Sequence, residues 1–294
     1  MRRLRPRQAM PKPEYKLVQL TNGLYSVQAL AEGETFHPVI GPAAEAEALY
    51  VRQLRLGDRM SLHPGEFVLW DVGLGAAANV LTVLRATRPL PCRVHIVSFD
   101  HTVEALRFAL THSETLGYFP AYESRVRQFL DHGRATWTDG PQTVNWDLHL
   151  GDFPALLADP QARNLPKPHA IMFDAFSPAR NPAMWTLPLF TALHQLLDPA
   201  RPCAMPTYSR STLLRVSWLL AGFFVGAGHA TGEKEETTIA ANARELITDP
   251  LGRRWLDRAR RSTSAEPLHS PVYRQAPMSE ETWERLKAHP QFQG

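Results

Sequence analysis

Val68-Leu69-Trp70-Asp71-Val72-Gly73-Leu74-Gly75-Ala76-Ala77-Ala78-Asn79-Val80-Leu81 is the stretch that decides the fold. A short apolar run ends in an acid, two glycines follow at alternate positions, and an apolar helical pattern begins behind them. The run reads as a buried strand. The glycines permit a sharp turn at which a ligand can approach the backbone with no Cβ in the way. Strand, glycine turn and helix in that order open a nucleoside-binding α/β domain. The spacing also satisfies a dinucleotide fingerprint, so the turn by itself leaves the nucleoside open.

Working outward, the same alternation continues. Val94 to Asp100 is a second apolar strand, and the acid at its end is placed to accept hydrogen bonds from the two hydroxyls of a ribose. Further strands are expected at Asn145 to Leu150, His169 to Asp174 and Cys203 to Tyr208, with helices at 104–111, 187–197 and 211–221. Phe223 to Gly228 and Glu236 to Asn242 are also strand-like, but the seven residues between them, His229 to Glu235, are too few for a crossover helix, so these two strands should pair antiparallel. The expectation is an α/β, Rossmann-like sheet of seven strands, mostly parallel, with an antiparallel C-terminal hairpin. Before it, Tyr15 to Leu20 and Leu24 to Ala29 flank Thr21-Asn22-Gly23 and read as a β-hairpin. A helix is expected from Pro42 to Leu56, with Gly57 ending it. Three segments result: a β-rich N-terminal extension over 1–60, a core over 61–243, and a basic, Arg-, Pro- and Ser-rich extension over 244–294 that reads as peripheral.

Composition narrows the class. The 294 residues are 44% hydrophobic and 21% charged, the balance of a globular protein with a sizeable core. The longest apolar stretch, around Leu219 to Val225, is too short to cross a bilayer. The basic N-terminus has no apolar run behind it, so a secretory signal is not expected and the cytoplasm is the expected location. Cys92 and Cys203 lie inside apolar runs and read as buried thiols, with neither a disulfide nor a metal site expected. Net charge is only +3, but Arg2, Arg3, Arg5 and Arg7 cluster at one end and Arg253, Arg254, Arg258, Arg260 and Arg261 near the other. Such clusters attract phosphate backbones, although solvated tails have the same composition.

The most informative chemistry lies in Ile171 to Trp185, IMFDAFSPARNPAMW. A buried strand delivers Asp174 to the sheet edge where ligands bind in open α/β folds. Pro178 and Pro182 stiffen a loop carrying Phe176, Ser177, Arg180, Asn181 and Trp185. A carboxylate beside aromatic and amide groups suits a base that bears a cationic amine; a helix cap with a structural loop would use the same residues.

These motifs resemble the methyltransferase domain of the MnmC family of tRNA 5-methylaminomethyl-2-thiouridine biosynthesis proteins, in its stand-alone form. The likeness runs from about residue 17 to 242 through Leu24 to Val51, the glycine turn, the Asp174 loop, Thr207 to Val225 and Gly232 to Ala240. An FAD-dependent oxidase domain is not expected within these 294 residues. The resemblance implies a class I methyltransferase fold and S-adenosylmethionine as cofactor. It implies transfer of a methyl group to the primary amine of 5-aminomethyl-(2-thio)uridine at the tRNA wobble position, with the anticodon arm as partner and no metal or membrane. It also implies Asp174 as the active-site aspartate, and the chemistry of an ammonium substrate makes it the expected proton acceptor. Tyr25, Glu45, Asp71, Gly73, Gly75, Asp100, Gly151, Asp152 and Asp174 are implied beside the cofactor. Phe176, Ser177, Arg180, Asn181, Tyr208 and Lys234 are expected to meet the substrate, with Arg210 and Arg215 on tRNA phosphates.

The family turn often reads G-x-G-T-G-x-N. Here Ala76 and Ala77 replace its middle while Asn79 is retained, so the methyl of Ala77 is expected to narrow the cofactor pocket. Pro38 stands where the family often has serine. His37, His101 and His229 are alternative bases. Three other readings stay open: an aminopropyltransferase of the spermidine synthase type, a methyltransferase for a different amine, and a catalytically inactive tRNA-binding homologue. Oligomeric state is not legible.

Overall fold

A computed structural model describes residues 14–232 and 235–293. The N-terminal arginine cluster and Lys234 lie outside the described residues.

The expected hairpin forms. β1 (Tyr15–Gln19) and β2 (Tyr25–Ala29) pair antiparallel around the Asn22-Gly23 turn, and a two-residue strand β3 (Glu34–Thr35) adds to β2. Next come α1 (Pro42–Ala46), a π-helical turn over Glu47–Arg52, and α2 (Leu56–Ser61). The helix expected from Pro42 is therefore interrupted. The break falls at Arg55, which takes a left-handed conformation, φ +52°, while Gly57 sits inside α2.

The central sheet is built from β4 (Glu66–Val72), β5 (Arg93–Asp100), β6 (Arg134–Asp139), β7 (Gln142–Leu150), β8 (Ala170–Phe173), β9 (Ala204–Thr207), β10 (Phe224–Gly228) and β11 (Thr237–Ala241). Its order is β10-β11-β9-β8-β4-β5-β7-β6. The five inner strands from β9 to β7 are parallel, and β11 lies antiparallel to both β9 and β10, as the short linker demands. The sheet has eight strands where seven were expected. The extra one is β6, antiparallel to β7. Its sequence, RATWTD, alternates buried and exposed residues as an edge strand does, so it carries no continuous apolar run to announce it.

Successive residues along β4 face opposite layers, Phe67 and Leu69 one way, Val68, Trp70 and Val72 the other. The first layer holds α1, the π-turn, α3 (Ala78–Thr87), α4 (Glu104–Thr111), the short α5 (Ser113–Leu116) and α6 (Glu123–His132). The second holds α7 (Phe153–Ala158), α8 (Leu187–Leu196) and α9 (Thr212–Leu220). Trp70, Trp185 and Trp218 are fully buried in it. Each removes about 200 Å² from water, about 5 kcal/mol of transfer free energy before ordering entropy is set against it.

The segment beyond residue 243 is part of this second core, not peripheral to it. α10 (Arg253–Arg260) buries Trp255, Leu256 and Ala259, and α11 (Glu280–Lys287) buries Leu286. Phe292 closes the same cluster, and Gln291 donates to the carbonyls of Val225 and Leu251 while accepting from the Val225 amide. No helix among the described residues is long and apolar enough to cross a membrane.

Candidate active site

Because the inner strands run parallel, the residues that follow β4, β5, β7, β8 and β9 all emerge at one edge of the sheet. β4 has β5 on one side and β8 on the other, so chain order reverses there and leaves a crevice. A cavity of about 720 Å³ occupies it, lined by the glycine turn, Asp100, Gly151-Asp152, the Asp174 loop and Tyr208, and roofed by Glu34 to Pro38.

The glycine turn is tied to its neighbours. The amides of Gly73 and Leu74 donate to the Phe99 carbonyl at 3.0 and 3.3 Å. Gly73 has φ +95°, and a Cβ there would lie 2.6 Å from the Asp174 carbonyl oxygen. Its glycine is thus demanded by the close approach of the β8 end. Gly75, φ +50°, turns its amide onto Asp100 Oδ2 at 3.0 Å. Asp100 Oδ1 accepts from the amides of His101 at 2.7 Å and Thr102 at 3.3 Å. The carboxylate at the end of β5 is therefore held rigidly by backbone donors.

Asp174 follows β8. Its Oδ2 accepts from Asn79 Nδ2 at 2.8 Å and lies 3.6 Å from His37 Nε2. On its other side, His37 Nδ1 lies 3.8 Å from Glu45 Oε2, and His37 has a left-handed backbone, φ +46°. Tyr50 is buried and Tyr208 half-buried beside these acids. Burial foremost, then the negative charges of Asp174 and its neighbours, push both phenols well above their usual range, so they stay neutral donors.

The loop after Asp174 is pinned at several points. Tyr208 donates its hydroxyl to the Ala175 carbonyl at 3.0 Å, and Trp185 Nε1 donates to the Phe176 carbonyl at 2.7 Å. Ser177 donates through its amide, at 3.1 Å, and through its hydroxyl to Glu34. Phe176 and Phe36 meet with ring centroids 5.7 Å apart at the cavity mouth.

The structure thus gathers Glu45, Gly73, Gly75, Asp100, Gly151, Asp152, Asp174, Phe176, Ser177, Arg180, Asn181 and Tyr208 around one cavity. Two expected members stand apart. Tyr25 lies in β2 and does not line it. Asp71 is fully buried behind the turn, accepting from Ser98, whose hydroxyl accepts in turn from Trp146 Nε1. Desolvation, with Asp174 and Asp100 nearby and the Ser98 hydrogen bond opposing, pushes the Asp71 carboxyl up to about 7. Lys234 lies outside the described residues.

Ala77 also differs from expectation. It caps α3 in a left-handed conformation, φ +59°, and its methyl does not line the cavity, so the pocket is not narrowed by it. Arg215, expected on phosphates, is 2% exposed and bonded to Thr237, Thr238 and Glu236. Of the alternative bases, His37 faces Asp174, His101 Nδ1 pairs with Asp100 at 3.1 Å, and His229 is not at the cavity. Glu34 and Phe36 were missed as site residues. Only the fold of β3 over the crevice brings them there, and the aromatic beside His37 was the one available signal.

An open parallel sheet with a glycine turn, an acid at the end of the next strand and an antiparallel terminal pair defines a class I S-adenosylmethionine-dependent methyltransferase. Residues 121–243 match the family described as S-adenosyl-L-methionine-dependent methyltransferase. More narrowly, the chain is similar to part of the MnmC proteins. It is 31% identical over 210 residues to the tRNA 5-methylaminomethyl-2-thiouridine biosynthesis bifunctional protein MnmC of Aeromonas hydrophila, covering 66% of this chain and 30% of that protein. The protein of the same name from Ectopseudomonas mendocina is 30% identical over 185 residues, 58% of this chain and 26% of its own. The chain therefore spans under a third of the length of these curated relatives. The crystal structure of MNMC2 from Aquifex aeolicus superposes with a TM-score of 0.66 at 20% identity, over 96% of this chain and 85% of that one, and so shares the fold.

The cofactor of this class is S-adenosylmethionine, and the cavity fits it. Its volume suits a nucleoside-sized ligand. The Asp100 carboxylate stands at the sheet edge. Asn79, which lines the cavity, has a buried side-chain oxygen with no hydrogen-bond partner, as expected of an acceptor that awaits a donor.

Proposed function

We propose that this protein transfers a methyl group to the primary amine of 5-aminomethyl-(2-thio)uridine at the wobble position of tRNA, giving 5-methylaminomethyl-(2-thio)uridine. The observation that carries the reading is Asp174: a carboxylate at the cavity, oriented by Asn79 and backed by His37. The names of the MnmC relatives point to the same uridine modification.

S-adenosylmethionine supplies a methyl on a sulfonium, an electrophile with an excellent leaving group. The residues need only deliver an amine with a free lone pair. An alkylammonium has none at neutral pH. Asp174 Oδ2 is engaged by Asn79, whereas Oδ1 makes no hydrogen bond to the described residues and is open to the ammonium. The ion pair with Asp174 Oδ1 first holds the ammonium and aims its nitrogen into the cavity; transfer of one proton to Oδ1 then leaves a neutral carboxylic acid and a neutral amine with a free lone pair. Phe36 and Phe176 offer aromatic surface at the mouth on which an extruded base can stack. Arg180, exposed on the loop, is suited to a neighbouring phosphate. A cytoplasmic location fits a tRNA substrate.

The test is nucleoside analysis of tRNA carrying 5-aminomethyluridine after incubation with purified protein and S-adenosylmethionine. Conversion to the methylaminomethyl nucleoside is expected. Asp174→Asn should lower single-turnover methylation by about 10²–10⁴ while the folded protein persists. Full turnover by that variant would sink the role given to Asp174. Absence of methylation on tRNA by the wild type would sink the substrate.

A further inference from the structure

We propose that the segment beyond residue 243 is a docking platform for an RNA phosphodiester backbone, formed by Arg254 and Arg258 of α10 together with Arg210 after β9. This rests on the tRNA reading above and gives the substrate a second, remote contact.

The arginines of the region divide by what they touch. Arg260 donates to Glu280 and to the Met278 carbonyl, and its guanidinium lies over the Trp283 ring, so it staples α10 to α11. Arg253 donates to the Phe292 carbonyl at 2.9 Å. Arg215 is buried on Glu236. These three serve the fold. Arg210, Arg254 and Arg258 are exposed and make no hydrogen bond or ion pair with the described residues. An unpaired guanidinium is a weakly hydrated cation with a planar fork of donors, matched to phosphate oxygens.

Their placement is fixed, not incidental. Trp255, Leu256 and Ala259 anchor the apolar face of α10 in the second core, so the helix cannot turn its charges away. Arg254 and Arg258, four residues apart, share one helix face. They line an open hollow of about 430 Å³ with Arg253 and the inner Arg215; Glu236 and Asp249 are its acidic members. Arg258 and Arg210 both lie within electrostatic reach of Arg215, whose guanidinium is pulled below its usual range chiefly by burial and then by these two. Arg210 is two residues past Tyr208, and β9 runs parallel to β8, so it emerges at the same sheet edge as Asp174. The cationic ridge therefore starts beside the cavity and leads away from it over α10. A backbone following it would hold the anticodon arm while one base enters the crevice, adding affinity without reading sequence.

The experiment measures binding of an unmodified tRNA transcript against salt concentration, for the wild type, for Arg254→Ala/Arg258→Ala, and for Arg127→Ala/Arg134→Ala. The last pair is a control that removes the same charge from α6 and β6, at the opposite edge of the sheet. The α10 pair should weaken tRNA binding about tenfold or more near 0.1 M salt and lower the slope of log K against log salt by about two. The control pair should change the slope by much less, and calorimetric binding of S-adenosylmethionine should be the same in all three. Equal losses in both pairs would mean that net charge alone attracts the RNA, and would overturn the proposal. A wild type that binds tRNA, with an α10 variant that binds it equally well, would overturn it and leave the substrate reading intact. A wild type that binds no tRNA at low salt would remove both.

Discussion

At the scale of single residues, two departures from expectation carry consequences. Ala77 takes a left-handed conformation that a Cβ makes costly, by about 1 kcal/mol. Its methyl is buried away from the cavity. Ala77→Gly should therefore change stability in denaturant unfolding by less than about 0.5 kcal/mol, the relief of strain being offset by the added freedom of the unfolded chain and the loss of one buried methyl. S-adenosylmethionine affinity should not change. A destabilised variant, or one with altered affinity, would show that the methyl supports the turn. Asp71 raises a question of pH. Its carboxyl titrates near 7 when folded, against an ordinary value of 3.8. Between those values the native state holds a proton that the unfolded chain has released, so stability falls as pH rises through the window. The loss approaches 4 kcal/mol in all, at about 1.4 kcal/mol per unit. Asp71→Asn should remove that component: wild type minus variant, measured as unfolding free energy from pH 4 to 8, should decline and then level above about 7. A flat difference would mean that Asp71 is ionised in the fold throughout.

Elements position the chemistry, and here sequence and structure can be compared directly. The parallel strands β4, β5, β8 and β9 were legible because each is largely an apolar run covered on both faces, and their order at Asp71, Asp100 and Asp174 placed the crevice. β6 was not legible, since an edge strand alternates like many exposed segments. The break at Arg55 was hidden because the residue in the left-handed conformation is not a glycine. Among site residues, those following a strand were found. Glu34 and Phe36 were not, since nothing local says that β3 folds over the glycine turn. Asp71 was assigned to the cofactor from its place in a motif, whereas burial decides what it touches. The loop after Asp174 shows how an irregular element is held in shape: Trp185 Nε1 and the Tyr208 hydroxyl each take a carbonyl of its first residues. Trp185→Phe would strand the Phe176 carbonyl and leave a void where a fully buried indole sat. It should cost about 2–3 kcal/mol and speed hydrogen exchange at the Arg180 and Asn181 amides, which donate to Ser177. Methylation should show a raised KM for tRNA with cofactor binding unchanged. Exchange rates matching the wild type would mean that Glu34 and the prolines fix the loop without Trp185.

For the molecule as a whole, the decisive feature is that its last fifty residues share the second core with the sheet. Composition alone made them a solvated tail, because arginine, proline and serine dominate the count. The apolar residues among them are few but spaced so that each reaches the core: Trp255, Leu256, Leu268, Leu286 and Phe292. The coupling is also polar. Gln291 sits on the edge strand β10 through both backbone groups of Val225 and reaches the Leu251 carbonyl, at 2.7 to 2.9 Å. Together with the Asp249 carbonyl, which accepts from the Ala227 amide, and the Leu251 amide, which donates to the Val225 carbonyl, it covers the outer edge of β10. Gln291→Ala removes all three hydrogen bonds and leaves the Val225 amide and the Leu251 carbonyl without that partner, while the Val225 carbonyl keeps the Leu251 amide at 3.0 Å. A cost of about 2–3 kcal/mol follows, equivalent to roughly 3–5 °C in Tm at this size. Because the helices share one core with the sheet, the loss should appear as a shift of one cooperative transition. A separate early transition, with the main midpoint unchanged, would instead mean that the C-terminal segment unfolds on its own and that the methyltransferase core does not depend on it.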